Sequence, residues 1–257
     1  MKATIIEKLK KIESNYNIRM LYACESGSRG WEFPSPDSDY DVRFIYVRTP
    51  PEYLSIEDQE DNLSFPINDE LDIYGWDLRK VLKLMMKSNT TPFEWLQSPI
   101  VYHEVAGFRD ELWNLAQGYF SQRSNTHHYL GIAKGALETA MGDEIKIKKL
   151  FYVLRPLLSA KWCMENNTIA PMTIGPLMNL LPEDLRQKMS DLIDLKATAA
   201  EGFIIKIDAA LRQYIDQEFM ACSEASKDLP RDSFNSEELD KFFRKTIMSH
   251  DDTRSKN

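Results

Sequence analysis

The 257-residue chain has no run of 18 apolar residues, so no membrane-spanning helix is expected. Cysteine is scarce. Cys24, Cys163 and Cys222 are odd in number and at no metal-like spacing, which argues against a disulfide framework or zinc site and for reduced, buried thiols of a cytoplasmic protein. No Walker-type glycine-lysine loop and no nucleophile elbow occurs, so P-loop and serine-hydrolase chemistry are set aside. No internal repeat is visible. Residues 1–7 read as the start of an amphipathic helix rather than a signal peptide. Positive charge is in deficit: 32 Lys and Arg face 40 Asp and Glu, a net charge of −8. That balance disfavours extended, nonspecific binding of a polyanion but leaves room for a local basic patch. What remains, 43% hydrophobic and 28% charged, is an ordinary globular composition, long enough for one large or two small domains.

One stretch stands out. Glu25-Ser26-Gly27-Ser28-Arg29-Gly30 leads, with ten residues between Ser28 and Asp39, to Asp39-Tyr40-Asp41-Val42. Residues 18–24 upstream and 42–47 downstream are apolar, β-branched or aromatic and read as strands. A Gly-Ser turn at a strand end lets backbone N–H groups approach phosphates closely. Residues i and i+2 of a strand share a face, so Asp39 and Asp41 project together, and by parity Arg43 joins them. Adjacent carboxylates repel unless a cation neutralises them, and hard oxygen ligands beside phosphates suit Mg²⁺. The stretch therefore reads as a metal-dependent nucleotide-handling site.

The rest of the chain divides in two. Apolar positions 5, 6, 9 and 12 mark a first helix. After the second strand, residues 55–69 are acidic and irregular. Residues 70–75 form another strand, and Asp77 caps a helix with an apolar stripe at 78, 81, 82 and 85. From about residue 104 the spacing is helical, over 104–120, 126–141, 145–165, 183–195 and 198–222, and strands vanish. The expected fold is α+β: a small mixed sheet domain over residues 1–102 and an all-helical domain over 103–225. Residues 226–257 are left as a linker, a short helix at 237–248 opened by the capping-box pattern Asn235-Ser236-Glu237-Glu238, and a polar, disordered tail from 250.

The ordered series Gly27-Ser28, Ser38-Asp39-Tyr40-Asp41-Val42-Arg43-Phe44, Leu71-Asp72-Ile73-Tyr74-Gly75-Trp76-Asp77, Glu94-Trp95-Leu96, His128-Tyr129-Leu130 and Lys148-Lys149-Leu150-Phe151-Tyr152 resembles the DNA polymerase β-type nucleotidyltransferase superfamily. Within it, the series is closest to the predicted nucleotidyltransferases associated with RNA ligases. The resemblance covers roughly residues 20–185. It implies an enzyme that moves a nucleoside monophosphate from an NTP to an acceptor hydroxyl, RNA or a small molecule, and releases pyrophosphate. It implies Mg²⁺, or Mn²⁺, held by Asp39, Asp41 and a third carboxylate that also activates the acceptor. Asp72 is the stronger candidate for that third acid; Asp77 competes but reads better as a helix cap. Gly27, Ser28 and Arg29 would hold the β- and γ-phosphates, with Lys80 on the helix after Asp77.

Lys148, Tyr152 and Arg155 share one helix face by their i, i+4, i+7 spacing. A solvated, salt-bridged face is the plain reading of that stripe. The resemblance turns it toward the triphosphate or the second substrate. His127 and His128 point about 100° apart on a helix and are read as structural rather than as a metal pair. The chief alternative is a nucleotide-binding regulatory protein without turnover, a partner in RNA repair or in a toxin–antitoxin-like pair.

Overall fold

The computed structural model describes residues 1–65, 70–138 and 144–254, the last five of these by backbone only. Helix α1 (Lys2–Asn15) buries Ile5, Leu9 and Ile12, one stripe of a 3.6-residue period. Then come β1 (Arg19–Glu25), the single turn α2 (Gly27–Gly30), β2 (Tyr40–Val47), α3 (Pro50–Tyr53), β3 (Asn62–Ser64), β4 (Leu71–Asp77), α4 (Leu78–Met86), α5 (Thr90–Gln97) and β5 (Val101–Glu104). The five strands form one sheet in the order β3-β4-β2-β1-β5. Only β2 and β4 run parallel; the other pairs are antiparallel, so the sheet is mixed and the fold α+β. Both faces are covered. Val42, Phe44 and Tyr46 pack toward α1, while Tyr22, Ile45 and Val47 pack against α4 and α5. That double burial explains why the central strands read as continuous apolar runs.

The back half holds α6 (Phe108–Ala116), α7 (Gln122–Leu137), β6 (Glu144–Lys146), α8 (Ile147–Asn166), α9 (Ile174–Met178), α10 (Glu183–Thr198), β7 (Ile204–Lys206), α11 (Ala209–Ala225) and α12 (Glu237–Arg254). Helix α8 is its spine, with twelve buried residues. Phe33, from the loop before β2, stacks on Phe151 of α8 at 4.7 Å and ties the sheet to the helices.

Several features depart from the sequence reading. A two-stranded antiparallel ribbon, β6 with β7, sits among the back helices. Its three-residue strands are too short to show a period of two. The helix expected over 198–222 begins only at Ala209; the preceding residues form a loop and β7. The expected boundary at 102/103 falls inside β5, and α6 and α12 pack on the sheet side, where Leu112, Leu239 and Phe242 share a core with Leu82 and Met85. The expected tail from 250 continues α12 as far as Arg254. The acidic segment holds β3, and residues 66–69 of it lie outside the described residues, as does the helix break expected at 142–143.

Gly75 pairs with Phe44 across β4 and β2, and a Cβ on it would stand 2.2 Å from the Phe44 ring. That ring is fully buried and cannot swing away. Gly75→Ala should therefore cost about 1–3 kcal/mol of stability by overpacking. The check is a lowered urea midpoint at unchanged slope.

Candidate active site

The site forms where the parallel pair β2–β4 meets the turn α2. Asp41 and Asp72 are direct cross-strand partners. Their carboxylates converge on one atom: Arg43 Nη2 donates to Asp41 Oδ1 at 2.9 Å and to Asp72 Oδ2 at 2.7 Å. A second Arg43 nitrogen donates to the carbonyls of Val42 and Asp72. Asp39, one residue before β2, is solvent-exposed.

Turn α2 presses on Asp41. Gly27 has φ +57°, and a Cβ there would lie 1.9 Å from Asp41 Oδ2. Glycine is required twice over, by the backbone conformation and by the carboxylate's approach. Ser26 N donates to Asp41 O at 2.8 Å, and no side chain caps the first amides of the turn. Arg29 lies against the same loop. Its Nε and Nη2 donate to Ser38 O, and its guanidinium covers the Tyr40 ring at 4.0 Å. Ser28 Oγ bonds Ser38 Oγ at 3.0 Å.

Burial pushes the Asp41 carboxyl above the usual range, with Asp72 and Asp39 adding to the rise and Arg43 and Lys148 opposing it. Buried Glu25, which sequence reasoning did not single out, accepts from Asp41 N at 2.7 Å and from Tyr102 Oη. Burial likewise raises its pKa. No motif marked Glu25, because it is the last residue of an apolar strand and its role depends on β1 lying beside β2.

Above the acids opens a cleft of about 400 Å³ between the sheet and the back helices. Ser26 and Arg43 lie on its sheet side, and Trp31, Trp76, Trp95 and Tyr152 supply aromatic walls. Trp76 stacks on Trp95 at 4.2 Å. The indole N–H groups of Trp31 and Trp76 are buried without a hydrogen-bond partner. Unsatisfied buried donors are uncommon in folded proteins.

The residues expected at the site are not all gathered there. Asp41, Asp72, Gly27, Ser28 and Arg29 are together. Lys148 is within electrostatic reach of Asp39 and Asp41, and Tyr152 lines the cleft. Arg155 also reaches the cleft but is committed: its side chain is 4% exposed, ion-paired with Glu94 at 3.0 Å, and bonded through Nε to Met172 O at 3.0 Å. It braces the wall and stacks on Trp31 at 4.4 Å. Lys80 is not at the site. It pairs with Asp61 at 2.7 Å and lines a separate cleft. Asp77 caps α4 through Arg79 N at 2.7 Å and accepts from Tyr53 Oη at 2.8 Å. His128 lines the cleft beside Glu94, its pKa lowered by burial.

Among the described residues no three His, Cys, Asp or Glu side chains stand close enough together to hold a metal ion. The donor chemistry of Asp41 and Asp72 nevertheless fits a hard cation: two carboxylates on adjacent strands share one focus, where Arg43 supplies the positive charge.

Residues 1–245 match the family described as RNA repair pathway DNA polymerase beta family. The chain belongs to this family. A relative, the uncharacterized protein YcgL of Bacillus subtilis (strain 168), is 44% identical over 233 residues, 89% of each chain. A solved nucleotidyltransferase-like protein from Exiguobacterium sibiricum 255-15 is similar over 87% of this chain and 74% of that one, at 11% identity and a TM-score of 0.32. Membership in this polymerase β family supports a nucleotidyl-transfer function. Among the described residues no helix is long and apolar enough to cross a membrane.

Two predictions follow from this geometry. Gly27→Ala forces a left-handed conformation on a residue with a Cβ, at about 1–2 kcal/mol, before any cost of moving Asp41; thermal unfolding should show at least that loss. Asp77→Asn keeps the cap oxygen. Burial raises the Asp77 pKa, so the wild-type chain loses stability as pH rises from the unfolded aspartate value of about 4 through the folded one. The asparagine variant lacks that loss, so its stability relative to wild type should rise from acid to neutral pH in urea titrations.

Proposed function

We propose that the protein is a metal-dependent nucleotidyltransferase that transfers a nucleoside monophosphate from an NTP to a hydroxyl of an RNA acceptor. The carrying observation is the convergence of Asp41 and Asp72 on one point directly against the turn at Gly27. Phosphate held at that turn lies beside paired carboxylates, the arrangement phosphoryl transfer requires.

Asp41 and Asp72 would hold Mg²⁺ or Mn²⁺; Asp39, exposed one residue before β2, stands outside that pair. When bound, that ion supplies charge neutralisation at the transferring phosphoryl group. The uncapped amides of α2 and the Ser28 hydroxyl bind the β- and γ-phosphates. The cleft receives the base, to which its aromatic faces offer stacking surface. Asp72 accepts the proton of the acceptor hydroxyl. That oxygen attacks the α-phosphorus, the bond to the bridging oxygen breaks, and pyrophosphate leaves with the electron pair. Arg43, bonded to both acids, screens their repulsion and holds them parallel. The family's description, which names an RNA repair pathway, supports an RNA acceptor. The net charge of −8 confines RNA contact to a local surface rather than an extended tract.

The test is incubation with Mg²⁺, each α-³²P-labelled NTP, and RNA, protein or metabolite fractions. Label should move to RNA. Asp41→Asn should reduce transfer by about 10²–10³-fold, the scale of removing one pre-organised electrostatic stabiliser. Acceptor binding should weaken steeply with salt. Label on metabolites would reassign the acceptor, and tight nucleotide binding without any transfer would leave a regulatory protein.

A further inference from the structure

Glu201 belongs to no motif and sits in the loop between α10 and β7, in the back half of the chain. Yet three of its groups bond residues around the catalytic turn. Its Oε1 accepts from Ser38 Oγ at 2.7 Å. Its Oε2 is ion-paired with Lys148 Nζ of α8. Its backbone N donates to Asp37 Oδ1 at 3.0 Å. Ser38 Oγ in turn accepts from Ser28 Oγ at 3.0 Å and from Ser35 N at 2.9 Å. A continuous line of hydrogen bonds therefore runs from Ser28 through Ser38 to Glu201 and on to Lys148. The same loop is anchored a second time. Lys196 of α10, fully buried, donates to Ser35 Oγ at 2.8 Å.

Lys148 is the group this line aims. Its charge interacts with both Asp39 and Asp41. Burial alone would lower its pKa, but the hydrogen bond and charge of Glu201 outweigh that and raise it, so the ammonium stays charged. A lysine on a flexible four-carbon stem loses rotamer freedom when it meets a ligand; one already held by a carboxylate has lost it on folding. Protein kinases use a Lys–Glu pair in this way to set a lysine on nucleotide phosphates.

We propose that Glu201 is a positioning residue: it fixes Lys148 from one side and the Ser28 turn from the other, so that both engage the same phosphate chain. The assignment rests on the nucleotidyl-transfer reading and names the helical half's contribution to it. Glu201→Gln keeps the acceptor for Ser38 and the size of the side chain but removes the charge that holds Lys148. A plain strap between the halves would tolerate that change or weaken every ligand alike.

The experiment is calorimetric titration of wild type, Glu201→Gln, Lys148→Met and the double variant with Mg²⁺ and either inorganic tripolyphosphate, ATP or adenosine. Thermal unfolding of each serves as the fold control, and Ser38→Ala is the second variant, cutting the line while leaving the Lys148 pair. Expected is about a tenfold weaker binding of tripolyphosphate and of ATP by Glu201→Gln, the scale of one charge-assisted contact. Adenosine should bind unchanged, and the double variant no worse than Lys148→Met alone. Equal or tighter tripolyphosphate binding by Glu201→Gln overturns the assignment, tighter binding meaning that Glu201 competes with phosphate for Lys148. Equal weakening of adenosine also overturns it. If wild type binds tripolyphosphate but transfers no label, the function reading fails while the positioning role is still read from binding. If wild type binds no phosphate probe, both fall.

Discussion

Like charge at close range is the constraint on which the rest of this structure depends. Parallel pairing of β2 with β4 sets Asp41 opposite Asp72, in a partly buried place where solvent screens them poorly. Such a pair persists only with a cation at its focus. Arg43, two residues along the same strand and so on the same face, provides it from within. The fold carries an unfavourable carboxylate pair and compensates it locally. Asp41, its pKa raised by burial despite that guanidinium, carries the residual strain.

The second requirement is that a loop and a helical half be held against the sheet. The nine residues between α2 and β2 include Phe33, stacked on Phe151, and Ser35 and Ser38, bonded to Lys196 and Glu201. Apolar stacking supplies the non-directional part of this junction and the buried polar contacts its registration. Arg155 and Glu94 add an ion pair across the cleft wall, joining α8 to α5. The aromatic cleft is thus walled by elements distant in sequence and braced on both sides.

Much of the sheet was legible in the chain. Strands 18–24, 42–47 and 70–75 announced themselves by β-branched and aromatic runs, and the structure has β1, β2 and β4 there. Strand parity put Arg43 with Asp41. The glycine at 27 pointed to a turn whose tightness the structure explains through the Asp41 carboxylate. Less legible were β3, β6 and β7, each of three residues, and the loop before β7. Residues 198–208 have a spacing compatible with helix, and that reading hid Glu201 in a helix it does not occupy. Lys80 and Arg155 show the limit of motif proximity: each has the right chemistry, but Lys80 is held away from the site by Asp61, and Arg155, in the cleft wall, is committed to Glu94 and Met172 O.

The sequence by itself determined what depends on near neighbours: strand periodicity, the common face of Asp41 and Arg43, the need for glycine in the turn, and the Asp77 cap. These follow from backbone geometry over a few residues. The tertiary structure alone decided the partners of those groups: that Asp72 stands opposite Asp41, that Glu25 supports it from the next strand, that Glu201 reaches Lys148 and Ser38 across the molecule. Those pairings depend on strand order and on how two halves pack, and no local spacing encodes either.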